Sequence, residues 1–581
     1  MKTGMKEFSV LVLLSLTVTF SFGQRKYDQA DKFSEVLNLL NNYYTDTVNQ
    51  EKLTEDAIVK VLDDLDPHSS YIPAKDVKKS DEPLVGNFDG IGITFQILKD
   101  TIIVLEVIPS GPAERVGLLA GDKIIKVNDT AVAGIKIDNE GVVHKLRGPK
   151  GTKVDVSILR HGANGLIDFT ITRDKIPIFS VTASYMAAPG VGYIRLERFG
   201  ANTMDEFLDA LNKLDKQGMK DLIFDLQGNT GGYLYTAVDL CNQFLRDRQM
   251  IVYTKGQHAP YYPYLSNNHG VFKTGKVVLM VDEGSASAAE IVSGCIQDND
   301  RGLLVGRRTF GKGLVQKPFT LGDGSVVRIT TAHYYTPSGR CIQKSYSNGT
   351  KEYREDYKER YESGELFGKD TFKFADSLLY HTLNGRNVYG GGGVEPDFFV
   401  PYDTSMNSTL LNVLWRRGVE NKFCLDYVDR NRQALNRQYA TADSFLYHFE
   451  VDDNIMAQYF AAAVSDSVIK LKDGTHPVSL KDYFADVKND STMNIEKDYY
   501  KSEKLLKARA KATIGRNLFD AGLFYRIINS TINDIYAKAL QVIQDDRLFD
   551  SLKPAAKDDG KKKGRNERSG KKMKGEATGQ K

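Results

Sequence analysis

Cysteine is scarce: Cys241, Cys295, Cys341 and Cys424 are the only four in 581 residues. They are too scattered for a disulfide framework and lack metal-ligand spacing. Cys241 and Cys295 fall in apolar helical patterns, as small core residues do, and a single disulfide stays open. Charge of one sign is scarce as well, with 78 Lys and Arg against 75 Asp and Glu. The net charge of +3 therefore gives no global pointer to nucleic acid. Long apolar stretches are confined to Phe8–Phe22, and no repeat of fixed period is present. The turn "GNTGG" lacks the Lys-Ser/Thr ending of a phosphate-binding loop, and no metal or nucleotide signature appears.

What is present is an ordinary globular composition, 41% hydrophobic and 26% charged. The chain is too long for one core and predicts several domains. Lys2 and Lys6 precede the Phe8–Phe22 stretch, with small residues near Gly23. That layout predicts a signal peptide over 1–23 and export; the expected destination is the periplasm of a bacterial cell envelope. Retention as an anchor, membrane association and full secretion stay open. At the other end, "KKKGRNERSGKKMKG" predicts a basic, disordered tail over 556–581. Such a tail solubilises, with contact to an anionic membrane surface as the second reading.

Between these ends the patterning changes three times. Residues 24–82 read as helical, with Phe33, Val36, Leu37 and Leu40 on one face and a capping-box start at Thr54. Residues 83–174 hold five short strand-like runs and two small helical pieces, a compact inserted domain. Over 175–401 strands and helices alternate, which predicts an open α/β sheet with its crevice beyond the carboxyl ends of the strands. Residues 402–555 turn helical and charged, with no chemistry legible in them. The fold class is thus multidomain α/β.

Two glycine-rich turns, "GNTGG" and "EGSAS", fall at such strand ends. Taken alone, Ser285 and Ser287 read most simply as a strand-to-helix turn with a serine cap. The other reading makes one of them a nucleophile. Lys312, between two glycines in "FGKG", reads equally as a loop lysine contacting an anion or as the buried base of a Ser–Lys pair. As a base it must lose its charge near neutrality, which burial promotes. His68 and His333 read as structural histidines.

The motifs "DPHSSY", "GIGITF", "GPAERVGLLAGDKIIKVN", "LRGPKGT", "GYIRLERF", "DLQGNTGGYL", "GSASAAEIVSGCIQDNDRGLLVGRRTFGKGLVQ", "YYTPSGRCIQ" and "GGGVEPD" occur in order. Together they strongly resemble the carboxyl-terminal processing peptidases of family S41, also called tail-specific proteases, which are Ser–Lys serine peptidases carrying a PDZ domain. The resemblance implies a peptidase core of the ClpP/crotonase-like kind and a PDZ module inserted ahead of it. It implies Ser287 as nucleophile, Lys312 as base 25 residues on, and Gln316 holding the lysine. Ala288 N–H, with Gly231 or Gly232, would form the oxyanion hole. Glu290, Asp298 and Thr309 would support, and Gly90, Ile91, Gly92 and Ile93 would bind a terminal carboxylate. The implied partners are proteins or peptides with free C-termini, with no cofactor, metal or nucleic acid; a homodimer stays open. Gln227 departs from the family's usual arginine, Thr230 from proline and Ala289 from serine. A scaffold without activity, and a lyase or esterase on the same core, are the competing functions.

Overall fold

The computed structural model describes residues 28–368, 375–472, 475–489 and 492–553. The expected signal peptide and the basic tail lie outside the described residues. Two helices open the described chain, Gln29–Tyr43 and Gln50–Asp63. The second starts a turn earlier than a cap at Thr54 requires: Asn49 Oδ1 accepts the Lys52 N–H at 3.0 Å. Thr54 is left inside the helix, its hydroxyl bonded to the Gln50 carbonyl. The first helix buries none of its residues, and Phe33 and Val36 stay about half exposed, at 47% and 46%.

The inserted domain is an antiparallel sheet whose strands run in the order Ile93–Leu98, Thr101–Val107, Lys123–Val127, Lys153–Leu159 and Leu166–Thr172. Short helices at Pro112–Val116 and Asn139–Leu146 close it around Ile102, Val104, Ile124, Val156 and Ile158. Ile93–Leu98 is an edge strand, so one side of its backbone is open to a further strand.

The central sheet has six strands in the order Val181–Ala188, Val191–Leu196, Asp221–Asp225, Val277–Val281, Leu303–Gly306 and Phe398–Phe399. All neighbours pair in parallel except the first two. Side chains alternate between faces along each strand. Ile194, Leu196, Phe224, Leu279 and Val281 meet the helices Thr203–Asp215, Leu234–Asn242 and Ala288–Asp298 on one side. Tyr193, Ile223, Val278, Met280 and Val305 face the other side, where they meet Ile535, Ala539, Val542 and Ile543. The helix Asp534–Gln544, more than 130 residues beyond the last sheet strand, thus supplies the second cover.

A second sheet stands beside the first. Val326–Tyr335 pairs with Leu314–Thr320, with Met250–Lys255 and with Ser70–Ile72, which begins within the "DPHSSY" stretch. The helical region from Thr409 to Leu518 builds its own core around Phe423, Phe445, Tyr459 and Phe460.

Ile543 is fully buried against the sheet, so Ile543→Ala should remove about 2–5 kcal/mol of stability. A fall in the thermal unfolding transition of the purified protein checks this; an unchanged transition would mean that the sheet does not depend on this helix.

Candidate active site

Three glycine-rich turns leave the carboxyl ends of adjacent parallel strands. Gly228–Gly232 follows Asp221–Asp225, Gly284–Ser287 follows Val277–Val281, and Phe310–Gly313 lies beyond Leu303–Gly306. Open parallel sheets place their reactive crevice at such ends.

Ser287 stands where the second turn becomes the helix Ala288–Asp298, with φ 56° and ψ −114°. Positive φ is uncommon for any residue but glycine, and holding it costs about 1–3 kcal/mol. A strained strand-to-helix corner of this kind lifts a serine hydroxyl clear of the backbone. Ser285 has a different task. It is fully buried, its hydroxyl donates to the Leu226 carbonyl at 2.7 Å, and it accepts the Asp282 N–H at 3.0 Å. Ser285 shapes the turn, and the half-buried Ser287 is the serine left at its apex.

The first turn is pressed against this apex. The Ala286 N–H donates to the Asn229 carbonyl at 2.8 Å, joining the two turns through their backbones. A Cβ added to Gly231 would lie 2.8 Å from Ser287 Cβ and 2.9 Å from Ala288 N, and Gly231 has φ +99°. Ala288 opens a helix, and its N–H is among those with no partner in the preceding turn. The Gly231 N–H, one of the two second donors expected from the sequence, donates to Asn229 Oδ1 at 2.8 Å. Asn229, a bracing residue the sequence reading passed over, is fully buried and also donates to the Leu196 carbonyl at 2.9 Å.

Glu290 joins the serine to the lysine. Its fully buried carboxylate accepts the Ser287 N–H at 2.9 Å and the Lys312 N–H at 2.8 Å on one oxygen. The other oxygen takes the Thr309 hydroxyl and the Gly311 N–H, both at 2.6 Å. Burial pushes this carboxyl up to about 6, against the pull of its donors. Burial also lowers the Lys312 ammonium below its ordinary value; Glu290 and Asp66 oppose that shift and Arg328 adds to it. A lysine weakened in this direction suits a general base.

Gln316 lies on the strand after the lysine turn. Its Nε2 donates to Thr330 Oγ1 at 3.1 Å, and that hydroxyl donates to Asp66 Oδ1 at 3.0 Å. With its NH₂ group spent on Thr330, the Gln316 amide leaves its oxygen as the end available to a lysine amine. Asp66 also accepts the N–H groups of His68 and Ser69, which gives the "DPHSSY" stretch a place beside the site. His68 is held neutral: burial and the nearby Lys312 lower it to about 4, and its Nε2 sits 2.8 Å from the Tyr353 hydroxyl. Asp298, grouped with the supports in the sequence, lies at the far end of the serine helix. There it binds Arg340 at 2.7 Å and Ser338, remote from Ser287 and Lys312. Gln227, one of the departures, turns its side-chain oxygen to Asn533 Nδ2 at 3.1 Å, the cap of the covering helix.

In the inserted domain, the carbonyls of Ile91 and Gly92 bond the N–H groups of Ala113 and Ile108, at 2.9 and 3.0 Å. Gly92 has φ +82°, which turns the loop at the head of the open edge strand Ile93–Leu98. Backbone N–H groups at the head of an open strand are the arrangement that holds a peptide carboxylate.

This fold and site define a PDZ-bearing serine peptidase with an α/β core. Residues 190–352 match the model of peptidase family S41, residues 90–171 match that of the PDZ domain, and residues 410–520 match a family of unknown function. The chain is 33% identical over 338 residues to a carboxy-terminal-processing protease of Bartonella bacilliformis, covering 57% of this chain and 77% of that protein. It is 34% identical over 320 residues to the carboxy-terminal processing protease CtpB of Bacillus subtilis, covering 54% of this chain and 65% of that one. Among solved structures, a photosystem II D1 C-terminal processing protease is 31% identical over 54% of this chain and 89% of that chain, with a TM-score of 0.31. The chain belongs to the carboxy-terminal processing proteases of peptidase family S41.

Gly231→Ala should lower kcat by about a hundredfold or more, because its methyl group would fill the space against Ser287 and Ala288 N–H. Steady-state cleavage of a peptide substrate checks this, and wild-type turnover would show that nothing reacts in that space.

The acid side of the pH profile should carry two ionisations. With Lys312 as the base, activity should fall as pH drops below the lysine's lowered value. It falls again through about 6 as Glu290 gains a proton and gives up acceptor capacity. The logarithm of kcat/KM should therefore steepen from a slope of about 1 to about 2 below that point. Glu290→Gln should be slower throughout and lose the second step; a second step that persists in this variant belongs to another group.

Proposed function

We propose that this protein is an exported endopeptidase that cuts envelope proteins near their C-termini through an acyl-enzyme on Ser287, with Lys312 as the base. The observation that carries the reading is the shared carboxylate. Glu290 holds the backbone N–H groups of Ser287 and Lys312 on one oxygen, and so brings a strained serine and a lysine weakened by burial to one place.

In the first half-reaction the Lys312 amine takes the Ser287 hydroxyl proton as the oxygen attacks the peptide carbonyl. The negative charge that forms on the carbonyl oxygen meets the Ala288 N–H and a backbone N–H of the first turn. Lys312 then gives its proton to the leaving amine. In the second half-reaction it activates a water that attacks the acyl ester, and it returns the proton to Ser287 as the ester breaks.

Export is supported by the lysines and apolar stretch at the N-terminus. Recognition of a free C-terminus is supported by the Gly90–Ile93 loop and the open strand edge behind it. A homodimer is the further proposal for the N-terminal helix, whose Phe33, Val36, Leu39 and Tyr43 are exposed together.

The test compares a peptide with an apolar free C-terminus with its C-terminal amide. The amide removes the charge that the loop would bind, and a charge-assisted hydrogen bond contributes about 1.5–3 kcal/mol. The acid should be cleaved roughly tenfold faster or more in kcat/KM, and Ser287→Ala and Lys312→Ala should each show no turnover. Equal rates on acid and amide would remove C-terminal recognition. Turnover by either variant would remove the Ser–Lys assignment.

A further inference from the structure

A second buried group touches both halves of the dyad. Tyr334 lies on the strand Val326–Tyr335 and is 1% exposed. Its hydroxyl oxygen stands 3.1 Å from the Ser287 carbonyl and 2.7 Å from the Lys312 carbonyl. A phenol has one proton, so it donates fully to one of the two. The Ser287 carbonyl already accepts the N–H groups of Glu290 at 2.8 Å and Ile291 at 3.0 Å, as the helix starts. The proton therefore belongs to Lys312. Tyr334 is itself anchored to the lysine turn, its N–H donating to the Gly313 carbonyl at 2.9 Å.

The Lys312 peptide is thus held from both sides. Glu290 takes its N–H, and Tyr334 donates to its carbonyl. The same two side chains bracket Ser287, at its N–H and at its carbonyl. Burial, with the Glu290 charge beside it, keeps the Tyr334 hydroxyl protonated far above the ordinary phenol range, so it remains a donor at any working pH.

We propose that Tyr334 is a positioning residue for peptide-bond cleavage, its hydroxyl fixing the Lys312 backbone so that the ε-amine keeps its reach to Ser287. It acts through the lysine backbone, and it rests on the Ser–Lys reading above.

The experiment uses the full-length protein with Tyr334→Phe, and with Tyr335→Phe as a control. Tyr335 is the next residue on the strand, with its ring stacked on Tyr253 at 4.8 Å. Four quantities are read: kcat and KM on one peptide, the pH profile, the rate at which a fluorophosphonate labels Ser287, and the thermal transition. In Tyr334→Phe, kcat should fall ten- to a hundredfold with KM within twofold. Labelling should slow by the same factor, and the lysine limb of the pH profile should move by half a pH unit or more. Tyr335→Phe should match the wild type. A para-amino group at position 334, introduced as 4-aminophenylalanine, restores a donor and should recover at least a third of kcat.

A Tyr334→Phe protein with kcat within twofold of wild type overturns the proposal. So does a loss of kcat that follows a lowered thermal transition with the pH limb unmoved. Should Tyr334→Phe fail to fold, the 4-aminophenylalanine protein decides alone: a folded protein with less than a tenth of wild-type kcat overturns it. Ser287→Ala and Lys312→Ala run in the same assay separate this outcome from a failure of the dyad, since turnover by either breaks the reading beneath the proposal.

Discussion

The geometry of this site depends on one buried carboxylate. Taking a charged carboxylate out of water is expensive, and it persists only where donors replace the lost hydration. Glu290 has four such donors, from Ser287, Thr309, Gly311 and Lys312. They come from two turns that leave different strands. A shift of either turn would leave part of the carboxylate bare, so the cost of burying the charge resists such a shift. The same bonds oppose the strain at Ser287, because its N–H makes a charge-assisted hydrogen bond to Glu290 in the bent conformation.

The surrounding glycines follow from that crowding. Gly393 has φ +92°, and a Cβ there would come within 2.5 Å of the Thr309 carbonyl. The neighbouring Val394 N–H donates to the Thr309 hydroxyl at 2.7 Å, and that hydroxyl in turn donates to Glu290. The "GGGV" stretch is therefore the outer wall of the carboxylate's cage, some 80 residues downstream of the turn it supports. Its glycine at 393 answers a close approach between two backbones, which a side chain would block.

Much of this was legible in the sequence, for a physical reason. Strand and helix alternate with clear apolar periods from Val191 to Gly306, and each glycine turn falls directly after an apolar strand. Local patterns of that sort report local structure. Ser285 and Ser287 were separable only through the family resemblance, since both are small residues in one turn, and it is the environment that divides them. What could not be read were the long-range partners. The hydroxyl of Tyr334 meets Lys312, yet strand alternation gives Tyr334 and its neighbour Tyr335 equal standing. The cap expected at Thr54 lost to Asn49 because both positions offer a side-chain acceptor and the earlier one lengthens the helix by a turn. The apolar stripe of Gln29–Tyr43 has the period of a buried face and no cover among the described residues, since periodicity records a face without naming what lies on it.

Segments toward both ends of the described residues bear directly on the middle. Ser70–Ile72 pairs with residues 326–328 on the second sheet, and Asp66 just before it fixes Thr330, which in turn fixes Gln316. At the other end, the helix Asp534–Gln544 covers the face of the central sheet opposite the serine helix. Its cap residue Asn533 reaches Gln227, two residues before the bracing Asn229. A peptidase core bounded at residues 175 and 401 would therefore lack a strand of its second sheet, the Asp66 carboxylate that orients Thr330 toward Gln316, and the cover over Tyr193, Ile223 and Met280. Uncovered, that sheet face would expose several large apolar side chains, each contributing about 1.5–3 kcal/mol when buried. The candidate catalytic residues occupy a short central stretch, but the forces that hold them in register are distributed over nearly the whole described chain.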